Sequence, residues 1–350
     1  MEEINIGGIP IGRQHKPFII AEMSGNHNQS LDRALAIVDC AAEAGVQAIK
    51  LQTYTADTLT INMNVGLFLI SDDKSLWKGQ NLYQLYKQAY TPWEWHEPIF
   101  RRAKERGLLA FSSPFDESAV DFLEKLDVPA YKVASFENNH LPLLRKIAKT
   151  GKPVIVSTGL STLADIDETV YTLREAGCKK LILLKCTSTY PASPENSNLL
   201  TIPHMAEMFN CQVGLSDHTL GIGVPLAAIG LGARLIEKHF TLNRADGGVD
   251  AAFSLEPHEL VSLVIESRRA FEGLGKITYD ITESEKKSLR FKRSIYVVQD
   301  VEAGENFTAE NLRIIRPGDG LHPRFLPELL RHKASSNIKM GTPSSWNLIA

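Results

Sequence analysis

The chain repeats one pattern eight times: a short apolar run rich in β-branched residues, then a stretch with apolar residues at helical spacing. The runs are Pro17–Met23, Ala48–Gln52, Leu108–Pro114, Ala130–Ser135, Pro153–Thr158, Leu181–Ser188, Gln212–His218 and Leu235–Phe240. Their cores are continuous rather than alternating, the pattern of parallel strands covered by helices on their outer face. The helical stretches carry readable ends. Ser30 stands where an N-cap belongs, and Gly45, Gly107, Gly177 and Gly275 close their helices as residues that take the left-handed conformation cheaply. Eight strands alternating with eight helices predict an α/β fold of the (β/α)₈ TIM-barrel type. The rival is an open doubly wound sheet, but no G-x-G-x-x-G follows the first strand.

The 350 residues leave room for a second module after the barrel. We expect the barrel over residues 1–280, a charged linker over 281–292 and a small domain of short strands, turns and one small helix over 293–350. Such a small core often leans on a partner. The stretch from Thr53 to Tyr90 is too long for an ordinary barrel loop and is expected to be functional. A net charge of −3 gives no electrostatic footprint for nucleic acid. No apolar run is long enough to span a membrane, and MEEINIGGIP lacks the features of a signal peptide. Four scattered cysteines without a C-x-x-C pair suit a reducing compartment, so a cytoplasmic location is expected.

Catalytic groups of such barrels sit at the carboxyl ends of the strands. Those ends carry Glu22; Lys50 and Gln52; Ser112 and Ser113; Lys132, Ser135 and Glu137; Ser157 and Thr158; Lys185, Thr187 and Ser188; Ser216, Asp217 and His218; and Glu237, Lys238 and His239. So many ionisable groups on one rim require a wet pocket or a charged ligand. His218 and His239 end adjacent strands and can converge on Mn²⁺, Co²⁺, Zn²⁺ or Fe²⁺, with Glu22 or Asp250 in the same shell. The plainer alternative is that each histidine only hydrogen-bonds within the rim. Lys50, Lys132, Ser135, Ser157 and Ser216 suit a phosphate or carboxylate, although either lysine alone could simply pair with a neighbouring acid. Lys132 and Lys185 are also the candidates for Schiff-base aldolase chemistry. A non-catalytic sugar-binding module is a third reading, but it would need no phosphate site. Trp93 and Trp95 read as packing residues, Cys186 as a small apolar filler and Lys286–Arg293 as a solvated basic run.

Several ordered motifs, IIAEMSGNHNQSLDRA, AIKLQTYT, FSSPFD, YKVASFE, VSTGLS, LLKCTSTYP, VGLSDHT and EKHF, resemble the sialic acid synthase family. FKRSIYVVQDVEAGENFTAENLRIIRPGDGLHP resembles that family's antifreeze-protein-like (SAF) domain. Within the family, SLWKGQNLYQLYKQAYTPWEWH is most similar to the branch that makes pseudaminic acid. The N-acetylneuraminate and legionaminic acid branches are the alternatives. The resemblance implies a metal-dependent transferase that condenses phosphoenolpyruvate with 2,4-diacetamido-2,4,6-trideoxy-L-altrose, giving a nonulosonic acid and phosphate. It places the catalytic positions on Glu22 and Arg316 and phosphoenolpyruvate binding on Lys50, Lys132, Ser135, Ser157 and Ser216. Sugar binding falls on Gln52, Tyr190 and Asp250, and a divalent cation (Mn²⁺, Mg²⁺ or Co²⁺) on His218 and His239. It also implies a domain-swapped homodimer in which Arg316 reaches the partner subunit's sugar.

Overall fold

The computed structural model describes residues 2–73 and 75–350. It divides into two compact units, one ending at Gly275 and the other beginning at Lys276. The first opens with a hairpin, β1 (Ile4–Ile6) against β2 (Ile9–Ile11), which the sequence pattern did not announce. Eight strands follow: β3 (Phe18–Glu22), β4 (Ala48–Thr53), β5 (Leu109–Pro114), β6 (Tyr131–Val133), β7 (Val154–Ser157), β8 (Leu181–Cys186), β9 (Gln212–Asp217) and β10 (Leu235–His239). They close into a parallel barrel in which β10 pairs with β3. The expected (β/α)₈ architecture is therefore the observed one. The opening hairpin lies at the amino ends of the strands, where the Gln212 side chain donates to the Glu2 carbonyl at 2.8 Å. Ile4, Ile6 and Ile11 join the barrel core there.

Local chemistry sets the helices between the strands. Leu31–Ala44 starts where the Ser30 hydroxyl accepts from the Arg33 N–H, and it buries Ala34, Ile37, Val38 and Ala41 on one face. Gly45 ends it at φ 84°, where a Cβ would be strained. The core is one continuous apolar body of strand and helix residues, including Ile20, Ile49, Phe111, Ile155, Leu184 and Ile236. Among the described residues no helix is long and apolar enough to cross a membrane.

The stretch from Lys276 to Arg293 is exposed throughout and contains single helical turns. The second unit then pairs β11 (Ser294–Val297) antiparallel with β12 (Leu312–Ile315) over its own core of Ile295, Val297, Val301, Phe307, Leu312 and Leu329. The final residues stay attached through bridges from Pro343 to Tyr296 and from Ile349 to Ala334. Arg316 is exposed just after β12.

On the outer side of the barrel, buried polar contacts tie β4 and β5 to the helix His96–Glu105, and a separate one joins Thr91 to His27. The Thr53 hydroxyl sits 2.8 Å from His96 Nε2 and 2.6 Å from the Ser112 hydroxyl, and Thr91 Oγ1 lies 3.2 Å from His27 Nε2. Burial pulls His27 and His96 from 6.5 down to about 4, so both are neutral at ordinary pH. The unfolded chain therefore binds more protons between these values. The histidines' contribution is complete above pH 6.5 and is lost as pH falls through about 4. For His96 that window is worth about 3 kcal/mol. The stability advantage of the wild type over His96→Gln should shrink by about that amount between pH 7 and pH 4, read by chemical denaturation.

Candidate functional site

Strand parity decides which rim residues meet. Alternate side chains of each strand point into the barrel, and the carboxyl-end inward positions surround a cavity of about 570 Å³. Its lining includes Lys50, Gln52, Lys132, Ser135, Ser157, Tyr190, Ser216, His218, His239 and Asp250. Glu22 stands beneath them, fully buried and ion-paired to Lys50. The structure thus brings together the residues that the family resemblance assigned to the site, Glu22 included, except Arg316, which belongs to the second unit.

The floor is a four-charge cluster. Lys50 Nζ pairs with Glu22, lies 3.8 Å from Glu237 Oε2 and donates to the Ser113 hydroxyl at 3.1 Å. Lys132 Nζ lies 3.5 Å from Glu237 Oε1, which also accepts from the Ser216 hydroxyl at 3.0 Å. Burial pushes Glu22 up to about 7 against the pull of Lys50. Burial would raise Glu237 as well, but Lys132 and Lys50 together hold it below its ordinary value. Lys132 is pulled down by burial; in Lys50 the same pull is outweighed by Glu22 and Glu237. Beside them the Ser135 hydroxyl accepts from the Gly159 N–H at 3.0 Å. A Cβ on Gly159 would strike the Ser135 and Ser188 hydroxyls, so any larger residue there would have to displace them.

The two histidine rings stand 5.3 Å apart at the cavity wall. His218 Nδ1 is 2.9 Å from the Thr187 carbonyl, which fixes the proton on Nδ1 and leaves the Nε2 lone pair open. His239 Nδ1 is buried without a hydrogen-bond partner, 3.9 Å from Asp250 Oδ2. Burial, followed by the charge of His218, pulls His239 well below its ordinary value, so it is a neutral donor. Burial raises the Asp250 carboxyl, which accepts from the Ser24 hydroxyl. Burial would lower His218 too, but Cys186 raises it against that pull, so of the two imidazoles only His239 is held neutral. Once His218 gives up its proton, two ring nitrogens beside the Asp250 carboxyl are donors of the kind a divalent cation takes.

Three sequence readings are corrected. Asp217 and Lys238 do not line the cavity. They point away from it as a buried ion pair at 2.9 Å, because each precedes an inward histidine by one residue. Lys185 likewise faces outward and donates to the Cys186 carbonyl at 2.9 Å, which removes it as a Schiff-base candidate. Cys186 is not a mere filler. It lines the cavity with Sγ 3.9 Å from His218 Nδ1; burial raises its thiol, but His218, Ser135 and Lys132 outweigh that and hold it at about 7. Trp93 and Trp95 do pack, against Phe122 at 4.7 Å and His27 at 5.6 Å. Glu237 and Glu137 line the cavity although neither received a role from sequence. Parity was the available signal for Glu237, two residues before His239 on the same strand. Burial lifts Glu137 to about 7.

A charged, serine-rich floor under paired imidazoles at the carboxyl end of a parallel barrel defines a barrel enzyme for a small anionic substrate. Residues 37–279 match the NeuB family model and residues 292–350 the SAF domain model. The chain belongs to the NeuB family. It is 46% identical over 326 residues to the pseudaminic acid synthase of Campylobacter jejuni, covering 93% of this chain and 94% of that protein. With the pseudaminic acid synthase of Helicobacter pylori it shares 41% over 330 residues, 94% and 96% of the two chains. The crystal structure of N-acetylneuraminic acid synthetase from Leptospira borgpetersenii superposes with a TM-score of 0.73 at 32% identity, over 82% of this chain and 95% of that one.

The outward pair behind the histidines is open to test. Lys238 Nζ also donates to the Thr219 carbonyl, and Asp217 accepts from the Thr219 N–H at 3.1 Å and hydroxyl at 2.9 Å. Lys238→Met leaves a buried carboxylate unpaired and should cost about 3–5 kcal/mol in denaturant unfolding. Adding Asp217→Asn should recover most of that loss.

Proposed function

We propose that the chain is a pseudaminic acid synthase, joining phosphoenolpyruvate to 2,4-diacetamido-2,4,6-trideoxy-L-altrose with release of phosphate. The observation that carries this reading is the meeting of Lys50, Lys132 and three serines with the histidine pair in one cavity. The likeness to the Campylobacter and Helicobacter enzymes supports the choice of sugar.

In this reading Lys50, Lys132, Ser135, Ser157 and Ser216 hold the phosphate and carboxylate of phosphoenolpyruvate, fixing its methylene carbon toward the sugar. Gln52, Tyr190 and Asp250 orient the open-chain aldehyde. His218 and His239 would hold a divalent cation (Mn²⁺, Mg²⁺ or Co²⁺), which when bound supplies Lewis acidity at the aldehyde oxygen. The methylene carbon bonds to the aldehyde carbon, and water adds at the adjacent carbon, which has become electron-poor. Glu22, poised near neutrality at about 7, takes the proton of that water, and a proton passes to the former aldehyde oxygen, which becomes a hydroxyl, so that Glu22 ends as it began. The resulting hemiketal phosphate expels phosphate by carbon–oxygen cleavage, leaving the keto acid. The low-dielectric site strengthens each of these contacts.

The reading carries a cytoplasmic location, where phosphoenolpyruvate is made, and a homodimer in which the second unit of one copy serves the barrel of the other. Arg316, exposed after β12, is then the residue that reaches the partner's sugar.

Phosphate release with the diacetamido altrose, N-acetylmannosamine and the legionaminic acid precursor in parallel, before and after chelation, tests the chemistry. The first sugar should give the highest kcat/KM, and chelation should abolish turnover until metal is restored. Equal turnover of N-acetylmannosamine, or full activity without metal, overturns the reading. Mixing inactive Arg316→Ala with inactive His218→Ala tests the dimer. Random subunit exchange of an equal mixture should restore up to about a quarter of wild-type activity, since half the dimers are mixed and each regains one of its two sites. A dead mixture despite exchange places Arg316 in its own barrel or outside the reaction.

A further inference from the structure

The cavity has two kinds of wall. The barrel strands contribute charge and hydroxyls, whereas the insertion after β4 contributes a mainly apolar wall of Leu59, Ile70, Trp77, Leu82, Leu85 and Tyr86, with Asp72 and Ser75 as its polar members. Trp77 is the member of this apolar wall tied directly to the sugar end. Its indole N–H donates to the Val249 carbonyl at 3.0 Å, beside Asp250. Its ring centre lies 5.9 Å from Tyr190, whose ring lies 4.6 Å from His218. With its one polar hydrogen spent on the backbone, the indole offers the cavity hydrocarbon alone.

The direction of the sugar follows from the rest of the site. Its aldehyde must lie between the charged floor and the histidines, so the opposite end of the carbon chain points away from the floor, toward the insertion. There the sugar of the proposed reaction ends in a methyl group, and N-acetylmannosamine ends in a hydroxymethyl. A hydroxyl placed against the Trp77 face loses its water without gaining a partner, while a methyl gains apolar contact. We infer that Trp77 is a specificity-determining residue, its ring receiving the terminal methyl of a 6-deoxy sugar and its N–H tether holding the insertion in place to do so. This inference rests on the proposed synthase reading and adds the residue that selects the sugar.

An apolar surface of this kind separates a methyl from a hydroxymethyl by roughly tenfold to a hundredfold. The test compares wild type, Trp77→Ala and Trp77→Phe, measuring kcat and KM for both sugars and KM for phosphoenolpyruvate, with thermal unfolding as a control on the fold. Trp77→Ala should reduce the ratio of kcat/KM for the diacetamido altrose over N-acetylmannosamine by about tenfold or more, through KM of the sugar. The KM for phosphoenolpyruvate should stay unchanged. Trp77→Phe keeps an apolar ring without the tether and should retain a larger ratio than Trp77→Ala. If both sugars lose the same factor in Trp77→Ala, or the ratio does not move in either variant, the inference is overturned. A wild type that prefers N-acetylmannosamine overturns the synthase reading instead, and the ratio in the two variants still reports whether Trp77 selects between the sugars.

Discussion

The site is organised around the buried contact of Lys50 with Glu22 and Glu237, extended by Lys132. Four ionisable groups removed from water would each be costly alone; together they compensate in pairs and leave no large net charge on the barrel floor. That compensation requires barrel closure, because Glu237 and His239 come from β10 while Glu22 and Lys50 come from β3 and β4. The closing register sets His239 opposite Glu22, and Glu22 opposite Lys50. An anion arriving on the lysines competes with both carboxylates for the same ammonium groups. Glu22, held at about 7 by burial against the pull of Lys50, can gain or lose a proton near neutral pH, which suits acid–base work.

The alternation of strand and helix was legible because it rests on local rules. Continuous apolar runs mark covered strands, and Ser30 and Gly45 sit at the helix ends where their chemistry puts them. The opening hairpin was missed since each of its strands is only three residues long, with Pro10 in the second. Its place is decided by distant partners such as Gln212 and Leu109 rather than by pattern. The candidate site was legible to the level of strand ends. What strand ends alone do not tell is facing: Asp217, Lys185 and Lys238 occupy the same rim as Ser216, Cys186 and His239, one residue away and on the opposite side. The insertion resisted altogether. Outside its one amphipathic helix, Leu82–Ala89, it lacks periodicity, and Trp77 is placed by a carbonyl at Val249, far away along the chain.

That difference between strand and loop also divides the chemistry. A floor built on paired strands holds its groups rigidly, which suits a reaction whose anion and metal positions must not drift. The insertion hangs from β4 and is fixed by a few contacts, among them the Asn81 cap of helix Leu82–Ala89 and the indole of Trp77. A loop held this way can change without touching the floor. The outward pair Asp217–Lys238 belongs to the rigid half, since it links the strand ends that bear the two histidines.

Polar atoms that lack partners sharpen the same distinction. Ser157 Oγ, Glu137 Oε2, Glu237 Oε2 and His239 Nδ1 are all buried without a hydrogen bond, and all belong to residues lining this cavity. Leaving such atoms unpaired costs about 1–3 kcal/mol each, a cost that stable cores avoid. At this site they leave polar atoms available to water or a ligand, among them the Ser157 hydroxyl and the His239 imidazole nitrogen beside Asp250. A ligand that satisfies them gains their pairing energy without first paying to orient them.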